Sequence, residues 1–207
     1  MNINTDITKD SWNPSDKIAK DYLHYYSKEM KIELSKYMKS VSDSPSVIDI
    51  GCGNAQIYPI LKSQNQDIKY LGVDNSETLV NAAKEVVKGD GEIVKSDIFD
   101  FMNSNKEKYD FAVLSHMIEC IESPDMIMDK ASKAATYVAI HWYDTPKYEH
   151  DIVTIGKNPH SKSEFKPYIR RKMGKNYWEY IVQRYNLSLV HKAQAGENNV
   201  LEIYTKK

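Results

Sequence analysis

The stretch that decides the fold of this 207-residue chain is Val47-Ile48-Asp49-Ile50-Gly51-Cys52-Gly53-Asn54-Ala55. A short, mostly apolar run suited to a buried strand leads directly into a turn with two glycines, and a segment able to form a helix follows. Such a turn lies at the carboxyl end of a parallel strand, where ligands bind in open α/β sheets. Because Gly51 and Gly53 let the backbone approach a ligand closely, the stretch predicts a binding loop.

Two common kinds of glycine-rich site do not match this loop. A dinucleotide-binding loop follows Gly-x-Gly-x-x-Gly, but the third glycine is replaced here by Gln56. A P-loop requires Gly-Lys-Ser/Thr after its first glycine, and no such triplet follows Gly53. The loop therefore predicts neither a nicotinamide site nor a nucleoside-triphosphate site.

Strand-like runs alternate with helix-length stretches along the chain, which predicts parallel strands joined by helices. The runs at 111–114 and 137–140 are continuously apolar, as expected for central strands covered on both faces. Two more runs, 187–192 and 200–204, flank turn-forming residues and predict an antiparallel hairpin. The first five runs are 47–50, 68–73, 92–95, 111–114 and 137–140.

Two further helices are predicted outside this alternating region. The first begins at Ser15, which is placed to cap it, and ends before Pro45. Its apolar residues recur at helical spacing up to Met38. The second follows a segment rich in Tyr, Lys and Pro, and it carries Tyr177, Trp178, Ile181, Val182 and Tyr185.

The segment Asp49-x-Gly51-x-Gly53-x-Ala55 resembles motif I of the class I, S-adenosylmethionine-dependent methyltransferases, with alanine in place of the last glycine. Three more segments resemble later motifs of that family, in the same order: 70–76, 93–99 and 109–121. The last has Cys120 where the family often has histidine. The resemblance covers about residues 16–141, and on it the chain is identified as a member of this family.

The resemblance implies a fold and a division of the chain. The expected fold is α/β, a Rossmann-like seven-stranded, mostly parallel sheet with helices on both faces and a C-terminal antiparallel hairpin. We expect a single domain over 1–207. Its expected parts are an N-terminal helical cap (1–44), a cofactor-binding core (45–141), a substrate-side insertion with a helix (142–185) and the terminal hairpin (186–207).

The resemblance also implies S-adenosyl-L-methionine as cofactor and S-adenosyl-L-homocysteine as product. By resemblance, Asp74 accepts hydrogen bonds from both ribose hydroxyls and Asp97 contacts the adenine amino group. Ile98 packs on the adenine ring, and Asp49 orients the methionine amino group. Tyr22 is expected to help close over the cofactor, with simple helix packing as an equal alternative. The other residues assigned to this pocket are Gly51, Cys52 (as a small turn residue), Gly53, Asn75 and Ser115.

Two histidines are candidates for the general base. His116 and His141 directly follow strands four and five, so the predicted topology places both toward the substrate side. A histidine suits proton removal because its unperturbed pKa lies near neutrality, although a structural role is the alternative for each. Tyr143 is a third catalytic candidate, and Trp142 is expected to form part of an aromatic substrate wall.

A basic segment follows strand five, with seven Lys and Arg residues between 157 and 175 and only Glu164 opposing them. Such a run usually marks solvated surface. The alternative is that Arg170 or Arg171 binds a phosphate or carboxylate of the substrate. A phosphorylated sugar or an amino acid would fit this alternative.

Composition narrows the remaining function classes. A formal net charge of -1 gives no overall field to attract nucleic acid or an anionic membrane. Cys52 and Cys120 lack metal-ligand spacing, and two cysteines suggest reduced thiols, so neither a metal site nor a disulfide framework is expected. The first ten residues lack a signal-peptide core, and no apolar run approaches the ~20 residues that span a bilayer. We therefore expect a cytoplasmic protein, monomeric or homodimeric, that does not bind membranes.

The leading hypothesis is methylation of a hydroxyl or amine on a small metabolite. The chain also faintly resembles methyltransferases of bacterial surface-polysaccharide gene clusters. RNA methylation through the basic segment is an alternative. A partner subunit that binds S-adenosylmethionine without catalysis is another.

Overall fold

The computed structural model describes residues 28–157, 167–195 and 199–207. Its helices are α1 (Lys28–Val41), α2 (Tyr58–Gln64), α3 (Glu77–Val87), α4 (Ile98–Ser104), α5 (Pro124–Ala134) and α6 (Lys175–Arg184), with a 3₁₀ turn at Ile118–Cys120. Its strands are β1 (Ser46–Ile50), β2 (Lys69–Asp74), β3 (Glu92–Lys95), β4 (Tyr109–Ser115), β5 (Ala135–Trp142), β6 (Ile152–Lys157), β7 (Pro167–Lys172), β8 (Leu187–Gln194) and β9 (Val200–Lys206).

Seven of these strands form one sheet in the order β3-β2-β1-β4-β5-β9-β8. Strands β1 to β5 run parallel to one another, whereas β9 is antiparallel to both β5 and β8. The predicted α/β, Rossmann-like sheet with its C-terminal hairpin is therefore confirmed. The chain builds the sheet outward from β1 on one side and then from β4 on the other, so a topological switch point lies between β1 and β4.

The central strands are buried because helices cover both faces of the sheet. Alternate side chains point to opposite faces, so Ile48 and Ala112 pack in one apolar layer while Val47 and Phe111 pack in the other. This two-sided burial accounts for the continuous apolar sequence of β4. It also fixes the carboxyl ends of β1 and β4 side by side at one edge of the sheet.

A second, two-stranded sheet, formed by β6 and β7, was not predicted. Strand β6 ends where the basic segment begins, and β7 lies within that segment, where its charged side chains interrupt the alternation that would indicate a strand. Its residues are unevenly buried: Ile155 is 65% exposed, whereas Ile169 is 4% exposed. Because these two residues lie directly opposite each other and so share one face of the hairpin, the difference shows that β7 is covered by the domain at this point while β6 is exposed.

Helix α1 corresponds to the second half of the long opening helix predicted from sequence. Met30, Leu34 and Met38 are buried, as their helical spacing predicted. Ser15 and Tyr22 lie outside the described residues, so the predicted cap and the predicted cofactor contact of Tyr22 stay predictions. Across the described ranges, the helices are all too short or too polar to span a membrane.

Candidate functional site

A cavity opens at the switch point, above the carboxyl ends of β1 and β4. Its volume is about 190 Å³, more than ten times the ~10–15 Å³ that a single water needs. Ligands bind at this position in open α/β sheets because the loops that follow the two strands diverge there. The cavity is lined by Asp49, Gly51, Cys52, Gly53, Asn54, Gln56, Ile57, Asp74, Asn75, Leu79, Asp97, Ile98, Phe99, Ser115, His116, Met117, Cys120, Ile121, Tyr143 and Tyr168.

The glycine loop after β1 forms one wall of the cavity. Gly51 and Gly53 have φ angles of 72° and 57°, in the left-handed region that favours glycine. A Cβ at position 51 would also lie 3.3 Å from Cβ of Met117 in the loop after β4. The amides of Gly51 and Cys52 donate to the carbonyl of Val73, at 2.8 and 3.1 Å, which ties this loop to β2.

Asp49 lies near the end of β1 with its carboxyl group buried beside the cavity. Its Oδ2 accepts a 2.6 Å hydrogen bond from the hydroxyl of Tyr70. Among the described residues, no group donates to Oδ1. Burial raises the pKa of Asp49 to about 7, although the Tyr70 hydroxyl opposes the shift. A buried oxygen without a partner calls for a donor from a ligand, and a cationic donor would favour the ionised form.

Asp74 ends β2 and links two loops around the cavity. Its Oδ2 accepts from the amide of Gly53 and its Oδ1 from the amide of Ser76, both at 2.9 Å. Burial raises the pKa of Asp74, while these amides act in the opposite direction. Each carboxylate oxygen has two lone pairs, so Asp74 retains capacity to accept from hydroxyl groups of a ligand.

Asp97 follows β3 and caps α4. Its Oδ1 accepts from the amides of Phe99 and Asp100, at 2.8 and 3.1 Å. This capping fixes the carboxyl group at the cavity, and its Oδ2 takes no part in the cap. Ile98 and Phe99 form an apolar wall next to it.

His116 and His141 form a pair of tilted rings, with an interplanar angle of 45°, where β4 and β5 end. The rings lie 4.0 Å apart between centroids, and the amide of His116 donates to the carbonyl of His141 at 2.9 Å. His116 has a φ of 53°, which turns its side chain to the cavity. His141 is not among the lining residues, and its Nδ1 lies 3.5 Å from Oγ of Ser115. The structure therefore separates the two candidates into a cavity residue and one behind it.

Both imidazoles are neutral around pH 7. Burial and the neighbouring His141 lower the pKa of His116 to about 2. Burial and the Lys31 ammonium lower the pKa of His141 to about 4. A neutral imidazole has a nitrogen that accepts hydrogen bonds, so the protonation state required of a base is present.

Glu119 fixes the loop that follows β5. It is 1% exposed, and its carboxylate accepts from the amides of Tyr143 and Asp144 at 2.9–3.2 Å. Burial raises the pKa of Glu119 to about 7. The anchored Tyr143 ring packs 4.1 Å from the His116 ring, and Cζ of Arg170 lies 5.6 Å from its centroid. Tyr143 thus lies between His116 and Arg170 of the β6–β7 hairpin.

The two cysteines line the cavity as thiols. Burial raises the pKa of Cys52 well above its usual value. Burial also raises the pKa of Cys120 to about 11, and its Sγ lies 3.0 Å from the hydroxyl of Tyr168 on β7. Neither is activated as a nucleophile.

The structure places two residues that were predicted for the substrate side away from the cavity lining. Trp142 is fully buried in the core, where its Nε1 donates to Glu202 at 3.0 Å, so it cannot form a cavity wall. Arg171 is also committed elsewhere: its guanidinium pairs with Asp151 and donates to the carbonyl of Glu122 at 3.0 Å.

The remaining predicted cofactor residues that the structure describes all meet at the cavity. They are Asp49, Gly51, Cys52, Gly53, Asp74, Asn75, Asp97, Ile98 and Ser115. Among the described residues, no group of three His, Cys, Asp or Glu side chains is placed to hold a metal ion.

The sequence did not single out Lys31, Glu119 or Tyr168. Lys31 stands next to an apolar stripe of α1, where lysine ordinarily marks the solvent side of a helix. Glu119 was visible only as part of the fourth motif. Tyr168 reaches the cavity because of the unpredicted β6–β7 hairpin.

Comparison with known proteins agrees with this architecture. A family model described as "Methyltransferase domain" matches residues 42–186. A carboxy-S-adenosyl-L-methionine synthase of Campylobacter curvus is 22% identical over 152 residues, covering 70% of this chain and 65% of the relative. A ribosomal protein L11 methyltransferase of Thermosipho africanus is 35% identical over 102 residues, covering 48% and 36%. The matches thus span less than two thirds of these relatives' own length.

Solved structures show the same fold. The magnesium protoporphyrin IX methyltransferase of Synechocystis, with bound S-adenosylmethionine, has a TM-score of 0.68 at 11% identity and full coverage of both chains. The CcbJ methyltransferase of Streptomyces caelestis has a TM-score of 0.64 at 12% identity, covering 98% of this chain and 95% of CcbJ. Together with the family match over most of the sheet, these findings confirm the predicted family: the chain belongs to the class I, S-adenosylmethionine-dependent methyltransferases.

Proposed function

We propose that the protein transfers a methyl group from S-adenosylmethionine to a hydroxyl or amine of a small, anionic metabolite. The observation that carries the proposal is the buried Oδ1 of Asp49 beside the cavity, which has no donor among the described residues. A cationic amino group would supply that donor. Asp74 and Asp97, at the ends of the next two strands, provide further acceptors in the same cavity.

The acidic residues of the cavity suit three parts of the cofactor: its amino group, its ribose and its adenine. Asp49 would hold the amino group, Asp74 the ribose hydroxyls, and Asp97 with Ile98 the adenine. When bound, S-adenosylmethionine supplies a methyl group on a positively charged sulfur and is left as S-adenosylhomocysteine. The protein would contribute mainly by holding the acceptor in line with that methyl group in the cavity.

We assign the role of general base to His116 rather than His141. His116 lines the cavity, whereas His141 lies behind it and supports it through its carbonyl and ring. His116 would accept the proton that the acceptor loses. Because the sulfonium loses its charge as His116 gains one, the total charge of the cavity does not change.

Arg170 supports an anionic acceptor. Unlike Arg171 it is exposed, and it lies over the ring of Tyr143 at the cavity wall. A guanidinium there can bind a phosphate or carboxylate in a bidentate manner. We keep the cytoplasmic location as a prediction.

A second candidate reaction comes from the curated relatives, several of which are named carboxy-S-adenosyl-L-methionine synthases. In that case the cofactor would keep its methyl carbon, and a carboxyl group from a second, carboxyl-donating substrate would replace one of the cofactor's C–H protons. Mass spectrometry of the nucleoside product distinguishes S-adenosylhomocysteine from a carboxylated sulfonium.

The test of the proposed function combines turnover and binding. Purified protein is incubated with S-adenosylmethionine and with phosphorylated or unphosphorylated small acceptors, and S-adenosylhomocysteine is measured. We expect acceptor-dependent product. His116→Asn should lower turnover about 100- to 10,000-fold while S-adenosylhomocysteine affinity by calorimetry stays within about twofold.

His150→Asn, at an exposed position outside the cavity, is the control and should retain full activity. Wild-type turnover in His116→Asn would refute the assignment of the base. Cofactor binding without turnover on any acceptor would favour the non-catalytic alternative, and strongly salt-dependent turnover on RNA would favour the RNA alternative.

A further inference from the structure

Tyr70 on β2 is a buried tyrosine that contacts an acidic residue of the cavity. Its hydroxyl donates a 2.6 Å hydrogen bond to Oδ2 of Asp49, and the two residues are 4% and 1% exposed. Asp49 lines the cavity, whereas Tyr70 is not one of the lining residues. A hydrogen bond of this length to a carboxylate is among the stronger ones in proteins. Any effect of Tyr70 on a ligand must therefore pass through Asp49.

The hydrogen bond gives the two oxygens of Asp49 different roles. Oδ2 accepts from Tyr70, whereas Oδ1 has no donor among the described residues. Because one oxygen is anchored, the carboxyl group cannot rotate freely, and the direction of the other oxygen is fixed. An acceptor that is already oriented binds a donor without first losing that freedom.

The tyrosine is itself held in place, and it keeps its proton. The ring of Tyr58, on α2, packs against the ring of Tyr70 at 5.0 Å between centroids. Both belong to the apolar layer that contains Val47, the residue opposite Tyr70 on β1. Burial and the nearby Asp49 raise the pKa of Tyr70 well above its usual value. Its hydroxyl therefore remains a donor throughout the range in which Asp49 titrates.

Other groups also act on the Asp49 carboxyl, but not by hydrogen bonds. Asp74 disfavours its ionised form, and the Lys31 ammonium favours it. Of the described side chains that act on this carboxyl, Tyr70 is the one that donates a hydrogen bond to it. The other titratable groups around it are Asp74 at the end of β2, Lys31 on α1, Cys52 in the glycine loop and His116 after β4, which lines the same cavity.

We propose that Tyr70 is a positioning residue for cofactor binding, which directs the free oxygen of Asp49 to the cofactor's amino group and holds the carboxyl group in its ionised form. This inference rests on the proposed function, because it assumes that Asp49 receives that amino group. A hydroxyl donor favours a carboxylate over the neutral acid. Without it, the pKa of Asp49 should rise further above about 7. Binding should then weaken most at a pH where Asp49 must lose a proton to bind.

The test measures how the loss of affinity depends on pH. S-adenosylhomocysteine is titrated by calorimetry into the wild-type protein, Tyr70→Phe and Tyr109→Phe. Tyr109 is the matched control, a buried tyrosine at the amino end of β4 whose hydroxyl donates to Glu107 at 3.2 Å. We expect Tyr70→Phe to weaken binding about tenfold at about pH 6 but less than about threefold at about pH 9, where Asp49 is ionised in both proteins. Tyr109→Phe should stay within about twofold of wild type at both.

The comparison between proteins is made at each pH with one ligand, so titration of the ligand's own amino group cancels. A double variant checks that Tyr70 acts through Asp49. In an Asp49→Asn background, adding Tyr70→Phe should weaken binding by less than about threefold, and equally at both pH values.

The remaining outcomes have distinct meanings. Equal weakening by Tyr70→Phe at both pH values would give Tyr70 a merely structural role and overturn the proposal, as would unchanged affinity. A pH-dependent loss that persists in the Asp49→Asn background would also overturn it. If the wild-type protein did not bind S-adenosylhomocysteine at either pH, the proposed function itself would fail. Tyr70→Met removes the same donor if Tyr70→Phe does not fold, and thermal unfolding without ligand reports the fold of each variant.

Discussion

The carboxyl group of Asp49 titrates near neutral pH, because burial raises its pKa to about 7. An acid with a raised pKa is protonated over a wider range in the free protein. Its ionised form is the one that pairs with a cationic amino group. Cofactor binding should therefore release a proton when it takes place below pH 7.

This linkage predicts that affinity for S-adenosylhomocysteine falls as pH is lowered through 7. The expected fall is at most about tenfold per pH unit, since one proton is involved. Calorimetry below, at and above pH 7 measures it. Asp49→Asn should bind more weakly and lose the pH dependence over this range. A wild-type affinity that does not change with pH would contradict the role of Asp49.

The individual acids were the part of the site most accessible from sequence. Asp49, Asp74 and Asp97 each lie at or next to the carboxyl end of a strand, and parallel strands present their carboxyl ends at one edge of the sheet. The burial of Lys31, one hydrogen bond away from the lining residue Gln56, could not be predicted in this way. Its burial depends on how α1 packs against the loops, and residue type alone placed it on the solvent side.

At the scale of secondary-structure elements, the terminal hairpin is held by a buried polar network around Glu202. This residue, on β9, accepts from Nε1 of Trp142 at 3.0 Å and from the hydroxyl of Tyr204 at 2.7 Å. Lys192 on β8 donates to its other oxygen at 2.8 Å. Trp178 of α6 donates to the same tyrosine hydroxyl at 3.0 Å. The network thus joins β5, β8, β9 and α6.

Removing Glu202 should leave the indole and phenol donors without their acceptor. We expect Glu202→Ala to lower the free energy of unfolding by about 1–3 kcal/mol, as for buried groups that lose a partner. Lys192→Met removes only the half-exposed ammonium that pairs with Glu202. This change should lower the free energy of unfolding by less than about 1 kcal/mol. Urea unfolding of both variants measures this difference. Equal losses would show that the ion pair, and not the buried donors, carries the stability.

Strands and helices were predictable from sequence where the apolar residues recur at a regular spacing. The prediction missed elements in which charged residues interrupt that spacing. The apolar runs of β4 and β5 and the terminal hairpin all appear in the structure. The β6–β7 hairpin does not show in the pattern, because Arg170, Arg171 and Lys172 occupy consecutive positions of one strand. The two arginines make different contacts: Arg171 pairs with Asp151, while Arg170 lies over the ring of Tyr143. Sequence spacing could not separate them.

At the scale of the whole molecule, ligand binding should stabilise the fold by mass action. With S-adenosylhomocysteine at about 100 times its Kd, the gain is about 2.7 kcal/mol. For a chain of this size that corresponds to a rise in Tm of about 5–11 °C. Differential scanning fluorimetry measures it. Asp74→Ala should lose most of the rise at the same ligand concentration, whereas Asp90→Ala, on an exposed carboxylate outside the cavity, should keep it.

An absent shift in the wild-type protein would contradict cofactor binding. Loss of the shift in both variants would mean that Asp74 has no specific part in it.

The left-handed backbone of the glycine loop restricts how the cavity can be altered by directed evolution. Gly51 and Gly53 both have positive φ angles, so any other residue at either position is strained whatever space surrounds it. The loop after β4, in contrast, contributes side chains such as Met117 to the same cavity. A library that keeps both glycines and varies the facing side chains should therefore contain more folded members than a library that randomises the glycine loop.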